Sequence, residues 1–328
     1  MNRALQISGF LILAGLTMYL FAMALQQAWM ADPVSGLVVA LIFFGLAYEM
    51  LAEGFKVFSR FVPFKVMTWT NCLNFLSVIL GTLVTYALSV NLGLGPVIAA
   101  GLVGILAAVF FPAYGVPIYC GAFVGMSSSA YFTDHPQVAM AGVLAGLIYV
   151  VSTGVLNGFG GKLGTIAYGG SLVIGIVLGS TFSSTPLPNW EVRWIMIFYS
   201  VLACVATYFI SIYLKQGPVM ASGIVGLAGG LLLPVVYLPY GNLLAVLVIC
   251  ASFAGMSNNQ RFPRFAPLFL GGAFTGMIFI YTLACLGGPG GKLGIIGFGS
   301  VMALRGYLDL FENWRSSKAI FSDMKKEL

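Results

Sequence analysis

The sequence has very few charged residues. Only 7% of its 328 residues are Asp, Glu, Lys or Arg, whereas soluble domains carry about a quarter. A surface this poor in charge could not face water, so a soluble domain is excluded. The basic residues form no stripe interleaved with aromatics, so nucleic acid is not expected as a partner.

The histidine and the cysteines indicate neither a metal site nor a disulfide framework. His135 is the only histidine, and no carboxylate cluster accompanies it, so no metal site is expected. The five cysteines lie in or beside apolar segments, which argues against a disulfide framework. No nucleophile and base occur in a convincing arrangement. We therefore expect neither an enzyme nor a cofactor.

Long apolar segments are what the sequence does contain. Several reach the ~20 residues that a spanning helix needs, and they predict an all-α integral membrane protein with about 12 transmembrane helices and the lipid bilayer as partner. The first segment is interpreted as a retained helix rather than a cleaved signal. The predicted helices are 5–28, 33–52, 67–90, 94–111, 114–132, 136–157, 162–182, 191–214, 217–234, 241–257, 264–286 and 292–311.

The basic residues predict the orientation. With the N-terminus in the cytoplasm, only Arg193 and Lys292 of the 15 Lys and Arg face outward, as the positive-inside rule favours. This predicts the cell (inner, cytoplasmic) membrane with both termini in the cytoplasm, and a cytoplasmic tail over 312–328. Phenylalanines and basic residues alternate over 53–65 and predict a short helix in the membrane interface.

The second half of the chain repeats the first. Residues 95–112 match 217–234 at 8 of 18 positions, and 118–170 match 248–300 at 18 of 53. We interpret 67–182 as repeat 1 and 191–311 as repeat 2. Both follow an N-terminal unit, 1–66, that consists of two helices and the interfacial loop.

Each repeat contains five predicted helices, and the number that cross the membrane determines how the second repeat is oriented relative to the first. If all five cross, the second copy is inverted (5+5), which is the plan of many secondary transporters. If 114–132 and 241–257 are instead re-entrant, each copy crosses four times and the repeats are parallel. We prefer the inverted arrangement because both segments are uncharged and long.

Small and polar residues recur at the repeated motifs and are candidates for lining a solute route. One group follows the Cys-x-x-Phe-x-Gly-Met-Ser motif, and packing is an equal alternative for it: Ser127, Ser128, Ser257, Asn258 and Asn259. Two more candidates, Asn71 and Asn74, share one predicted helix. Glu49, Arg305 and Asp309 lie near predicted cytoplasmic helix ends. Since no acidic residue lies at a predicted helix centre, proton coupling is not expected.

The pentapeptide Gly-Gly-Lys-Leu-Gly occurs once in each repeat, at the start of a helix. Its backbone N–H groups and lysine suit an anion, which makes Gly161, Lys162, Gly291 and Lys292 candidate binding residues. The alternative is a lysine that snorkels to the interface beside a hinge.

These features predict a multi-pass membrane transporter of a small polar or anionic solute, with the route between the repeats. Size and the five-plus-five plan resemble urea-transporter-like channels, and Asp32-Pro33-Val34-Ser35-Gly36-Leu37 resembles a segment of that family. The other motifs of that family are not evident, so its substrate and sites are not transferred. A solute channel and a non-transporting membrane subunit or scaffold are the alternatives, and a homo-oligomer is left open. A polar cavity between Ser127 and Ser257 would support transport, whereas a dry contact would count against it.

Overall fold

The computed structural model describes residues 2–59 and 68–327, and this part of the chain is helical without strands. Twelve α-helices follow one another: α1 Asn2–Ala31, α2 Pro33–Ser59, α3 Trp69–Tyr86, α4 Pro96–Phe110, α5 Gly115–Gly125, α6 His135–Val151, α7 Lys162–Leu178, α8 Trp190–Tyr208, α9 Pro218–Val236, α10 Gly241–Gly255, α11 Leu268–Thr282 and α12 Lys292–Glu327. Short π-helical turns, Ala87–Asn91 and Phe209–Tyr213, prolong α3 and α8.

Six of these helices are long and apolar enough to cross a membrane: those containing α1, α2, α3, α8, α9 and the first part of α12. The other six are apolar but have only 11 to 17 residues. Many large apolar side chains are exposed on the outside of the bundle, among them Phe44, Phe198 and Val235. A membrane location is therefore indicated for the chain.

The N-terminal pair, α1 and α2, forms an antiparallel hairpin. At one end Asp32 joins the helices, and its carboxylate accepts hydrogen bonds from the backbone N–H and hydroxyl of Ser35. At the other end Arg3 donates to the carbonyl of Phe58 at 2.5 Å. Because α2 continues to Ser59, the first part of the expected interfacial helix belongs to α2; residues 60–65 lie outside the described chain. The predicted tail, in turn, continues α12.

Several helices end earlier than the sequence predicts. Helix α5 ends at Gly125 instead of near 132, and α6 at Val151 instead of near 157. The carbonyls of Ser152 and Val155, just after α6, accept hydrogen bonds from the ammonium of Lys162 rather than continuing the helix. Both ends coincide with small polar residues, Ser127–Ser129 after α5 and Ser152–Gly154 after α6, and the predicted helices were continued across them because no charged residue or proline interrupts the segments there.

Matching positions of the two sequence repeats make the same contacts. The hydroxyl of Tyr86 donates to the carbonyl of Phe132, and that of Tyr208 donates to the carbonyl of Phe262. The same correspondence holds for two thiols: Cys120 donates to the carbonyl of Leu163, and Cys250 to that of Leu293, at 3.3 and 3.2 Å. These similarities extend the repetition from the sequence to the tertiary structure.

Where the copies meet, the contacts are reciprocal. Gly101 of α4 packs against Gly223 of α9, and each of the two would bring an added Cβ against the carbonyl oxygen of the other. Gly164 of α7 and Gly294 of α12 pack against each other in the same reciprocal manner. Small residues at such crossings allow two backbones to approach closely. The two glycine pairs are therefore matching contacts between corresponding positions of the sequence repeats.

Candidate functional site

Two lysines begin helices deep within the protein. Gly161 and Gly291 precede Lys162 and Lys292, with φ angles of +83° and +91° that only glycine adopts readily. Each glycine also packs against backbone of the other copy's helix, Gly161 against Phe298 and Gly291 against Tyr168. The Gly-Gly-Lys sequence therefore turns the chain sharply and starts a helix in a crowded place.

The ammonium of Lys162 is held by three acceptors. It donates to the carbonyls of Ser152 and Val155, at 2.8 and 2.5 Å, and to the side-chain oxygen of Asn157 at 2.7 Å. Because the carbonyls lie in the connection from α6 to α7, Lys162 ties that connection to the start of α7. An ammonium has three N–H groups, and here each has an acceptor.

The ammonium of Lys292 has the two equivalent carbonyl acceptors, those of Thr282 and Cys285. The position that matches Asn157 is Gly287, which has no side chain. Within the described residues, the third N–H of Lys292 therefore lacks the acceptor that Asn157 supplies to Lys162. Neither lysine forms an ion pair with a carboxylate in this part of the chain.

Each lysine borders a cavity. The Lys292 cavity has a volume of about 280 Å³, and the Lys162 cavity about 290 Å³. Both are mainly apolar, with a few polar groups around the lysine, which is the usual character of small-molecule sites. The Lys292 cavity is lined by residues that include Met126, Ser128, Ser183 and Thr282. The Lys162 cavity is lined by Tyr149, Ser152, Asn157, Met256 and Asn258, among others.

The two cavities lie toward opposite ends of the α1–α2 hairpin. Asn157 of the Lys162 cavity also lines a smaller cavity beside Glu53 and Arg261, near the end where α1 begins. The Lys292 cavity lies near the other end of the hairpin, because Thr282, which lines it, is the chain neighbour of Tyr281. The hydroxyl of Tyr281 donates to Ser35, next to the Asp32 turn, at 2.5 Å.

A packed barrier of aromatic rings borders the Lys292 cavity: Phe123 and Phe253 both line that cavity, and neither lines the Lys162 cavity. The rings of Phe123 and Phe253, at matching positions of α5 and α10, lie with their centroids 4.3 Å apart, and both rings are fully buried. Tyr119 packs against both rings, and its hydroxyl shares a hydrogen bond with Ser222 at 3.0 Å. The contact between the copies at this level is therefore packed ring against ring, and in the part of the chain that the structure describes Ser127 and Ser257 line neither lysine cavity.

Ser127 and Ser257 are buried and hold the two copies together. The Ser127 hydroxyl donates to Val124 and accepts from the backbone N–H of Gly290 at 2.9 Å. Ser257 accepts from the N–H of Gly160 at 3.0 Å in the reciprocal bond. Their hydrogen-bonding capacity is taken up by protein, so the packing interpretation describes both serines.

The remaining predicted residues separate into two groups. Ser128 and Asn258 each line one cavity, and their backbone N–H groups donate across the repeats to Gly288 and Gly158. Asn259 is exposed and lines neither cavity. Asn71 lies at the start of α3 beside a shallow apolar depression, and neither Asn71 nor Asn74 lines a lysine cavity.

The sequence did not single out Asn157, Arg261 or the surroundings of Glu49 as parts of a site. Asn157 has no matching polar residue in repeat 2, so the repeat pattern could not reveal it. Glu49 was expected near a helix end, but α2 extends ten residues beyond it to Ser59, and its side chain is fully buried.

Comparison with known proteins finds no match to a protein-family model, to a curated protein or to a solved structure.

Proposed function

We propose that the chain is a multi-pass membrane carrier for a small anionic solute. The Lys162 cavity and the Lys292 cavity would face opposite sides of the membrane, and the solute would be exposed to one side at a time. The observation that supports this best is the pair of equivalent cavities, each with a lysine and no neutralising carboxylate among the described residues. A cation away from water is costly without a partner. An anionic solute would supply the missing charge.

The proposal includes an inverted arrangement of the two repeats. Helix α5 runs in the same direction as α3, since Ile118 contacts Gly81 and Gly125 contacts Tyr86. The chain after α5 then stays at the far end of α3, where Phe132 accepts the hydrogen bond from Tyr86. We infer that each α5-like segment, together with the loop after it, completes a crossing. Five crossings per repeat make twelve in all and invert the second copy.

The packed contact between the Ser127 and Ser257 regions is the outcome that, by the expectation from the sequence, counts against transport, because it leaves no open route there. Of the transport functions, a carrier fits this contact better than a channel, because a carrier closes its route at each step. A channel needs a continuous path, whereas the buried Phe123–Phe253 contact between the repeats is closely packed. The cavity volume of about 280 Å³ equals that of about nine waters at about 30 Å³ each, which is room enough for a small anion. Alternating access by rocking of two related bundles would carry the solute past the barrier.

Uptake into liposomes tests the function. The purified protein would be reconstituted with a panel of small anions: phosphate, sulfate, nitrate, formate and acetate. We expect saturable uptake and counterflow of one of them, reduced about tenfold or more in Lys292→Met, since a charge-assisted hydrogen bond contributes about 1.5–3 kcal/mol. Lys292→Arg, which retains the charge, should keep part of the uptake.

Lys215→Gly is the matched control. Lys215 is exposed, lies outside both cavities and has a φ angle of +55°, which glycine adopts without strain. Its variant removes the same charge and should transport like the parent. Uptake that does not saturate would favour the channel, and absence of flux for every anion, with a co-purifying partner, would favour the scaffold.

The inverted topology is tested separately by thiol labelling. In a background without the exposed Cys72, Ser128→Cys and Asn258→Cys would be treated with a membrane-impermeant reagent. We expect Ser128→Cys to face the outside of the cell and to react in intact cells. Asn258→Cys should face the cytoplasm and react only after the membrane is permeabilised. Labelling of both from the same side would contradict the inverted arrangement.

A further inference from the structure

A cluster of charged side chains lies beside the Lys162 cavity, next to Asn157. The proposed carrier function does not yet assign a role to these residues. Helices α2 and α12 and the loop after α10 supply its members. Its acidic members are Glu49, Glu53, Asp309 and Glu312, and its basic members are Lys56, Arg261 and Arg305.

Most of these charges are paired closely. Arg261 donates through both terminal nitrogens to Glu53, at 2.7 and 3.0 Å, and Lys56 donates to the same carboxylate at 2.7 Å. Arg305 pairs with Asp309 and, at 3.1 Å, with Glu312. Three acidic and three basic side chains thus form ion pairs with one another. Glu49 is the member of the cluster that has no close ion pair.

Glu49 differs from its neighbours in having no hydrogen bond. It is fully buried, and neither carboxyl oxygen has a donor within the described chain. The nearest cation is Arg261, whose Nη1 lies 4.0 Å from Oε1 of Glu49, beyond hydrogen-bonding distance. Around it, α2 contributes Glu53 and Lys56, α12 contributes Arg305 and Asp309, and the loop after α10 contributes Arg261.

A buried carboxylate without a partner is strongly unfavourable, and such a group becomes neutral instead. If all seven groups were ionised, the cluster would carry one excess negative charge. One proton on Glu49 removes that charge and leaves three acids against three bases. Burial, the missing donors and the charge count therefore point to the same protonation state.

Arg261 links Glu49 to the Lys162 cavity. Its Nε donates to the backbone carbonyl of Asn157 at 3.0 Å, and the side chain of Asn157 accepts from Lys162 at 2.7 Å. Arg261 also stacks over Phe159, 4.1 Å from the ring centroid. A shift of the guanidinium from Glu53 toward Glu49 would pull on the loop that holds the lysine.

We propose that Glu49 is a proton-binding site, and that its proton is the coupling ion of the carrier. The second part rests on the proposed function. It revises the expectation from the sequence that protons are not coupled, because Glu49 is buried within α2 rather than located at a helix end. In the described conformation the proton resides on a Glu49 oxygen. When Arg261 moves from Glu53 to Glu49, the carboxyl releases the proton to water, and the ion pair replaces the lost O–H bond. A proton and a monovalent anion that move together leave the net charge unchanged.

The proton is tested without any transport assay. Infrared difference spectra of the purified protein, in H₂O and in D₂O at neutral pH, should contain the C=O band of a buried carboxylic acid. The band should disappear in Glu49→Gln and persist in Glu312→Gln, whose parent side chain is exposed. Absence of the band in the parent protein would overturn the proton site.

Stability provides a second measurement. Glutamine has the shape of the neutral acid, so Glu49→Gln should have the thermal stability of the parent protein. Glu53→Gln should unfold at a lower temperature, because it removes the buried carboxylate that accepts from both Arg261 and Lys56. A Glu49→Gln variant that is destabilised as much as Glu53→Gln would show that the ionised carboxylate is the native form, and would overturn the proposal.

The coupling is tested in liposomes. One proton per solute predicts about tenfold accumulation for each unit of pH difference, because both correspond to about 1.4 kcal/mol. Glu49→Gln should lose this dependence while solute exchange continues. If solute accumulation by the parent protein does not depend on the pH gradient, or depends on a sodium gradient instead, the coupling is overturned. If the parent moves no solute at all, the carrier function fails, whereas the infrared band still decides the proton site.

Discussion

One acceptor distinguishes the two lysines at the centre of the proposed site. Lys162 has Asn157 as a third acceptor, whereas the corresponding position beside Lys292 is Gly287. A lysine with one N–H directed toward a cavity can hold an anion without giving up an internal bond. We therefore expect the Lys292 cavity to bind the solute more tightly of the two.

Another single residue, Asp32, governs the turn between α1 and α2. The backbone N–H and the hydroxyl of Ser35 donate to its carboxylate, and together they lower the pKa of Asp32 below its ordinary value, which is about 3.9. A lowered pKa in the folded state means that this stabilisation is fully present above the ordinary pKa. It is lost as the pH falls through the folded-state pKa.

Asp32→Asn should accordingly have a pH-dependent effect. We expect it to lower the melting temperature in detergent at pH 7, because asparagine lacks the charge and the second acceptor oxygen. The difference from the parent should begin to shrink as the pH falls below about 4, the ordinary pKa, and should disappear only below the lower folded-state pKa, where the parent carboxylate is protonated too. Melting curves from pH 7 to pH 3 measure it, and a difference that stays constant over this range would contradict the prediction.

Among the helices, the crossing of α7 and α12 depends most on small residues. Gly164 and Gly294 face each other there, and an added Cβ on Gly164 would lie 2.5 Å from the Cα of Gly294. Because the partner atom is backbone, a side-chain rotation cannot relieve the contact. The distance between the two lysine-bearing helix starts is therefore determined by these glycines.

Gly164→Ala should reduce stability by about 1–3 kcal/mol, the usual effect of overpacking. Gly15→Ala is its control, since Gly15 lies in a helix with no atom within 4 Å of an added Cβ. There alanine should leave stability unchanged or raise it by about 0.5–1 kcal/mol. Thermal unfolding in detergent compares the two variants, and equal effects would indicate that the crossing has room for a methyl group.

For the molecule as a whole, the aromatic barrier that borders the Lys292 cavity is the decisive feature. It consists of the packed rings of Phe123 and Phe253 with Tyr119 against both. The hydroxyl of Tyr119 is hydrogen-bonded to Ser222. A carrier needs such a barrier because a solute must never meet an open path through the membrane. In the proposed carrier, one repeat would move against the other across this contact.

Phe123→Ala should open the barrier. Removing a buried ring costs about 3–5 kcal/mol and leaves a cavity, so we expect uptake in liposomes that no longer saturates. Phe198→Ala, at a ring that is 63% exposed on α8, should retain the behaviour of the parent. Unchanged, saturable uptake in Phe123→Ala would indicate that the solute passes elsewhere.

The sequence by itself determined the all-helical character, and it indicated the membrane location and the internal repetition. Apolar segments lacking charge can satisfy their backbone only as helices in lipid, and the Gly-Gly-Lys-Leu-Gly and Cys-x-x-Phe-x-Gly-Met-Ser motifs reveal the repetition directly. It also indicated that Lys162 and Lys292 occupy equivalent positions, because both begin a helix after two glycines.

Only the tertiary structure decided what these residues contact. Ser127 and Ser257 bond to backbone of the opposite copy, more than 90 residues away in the chain, and hydropathy carries no information about such partners. Glu49 was expected at a helix end, whereas it is buried against α12, because helix length and packing determine exposure and composition does not. The pairing of Arg261 with Glu53, 208 residues apart, arises for the same reason: the fold, and not the local sequence, brings charges together.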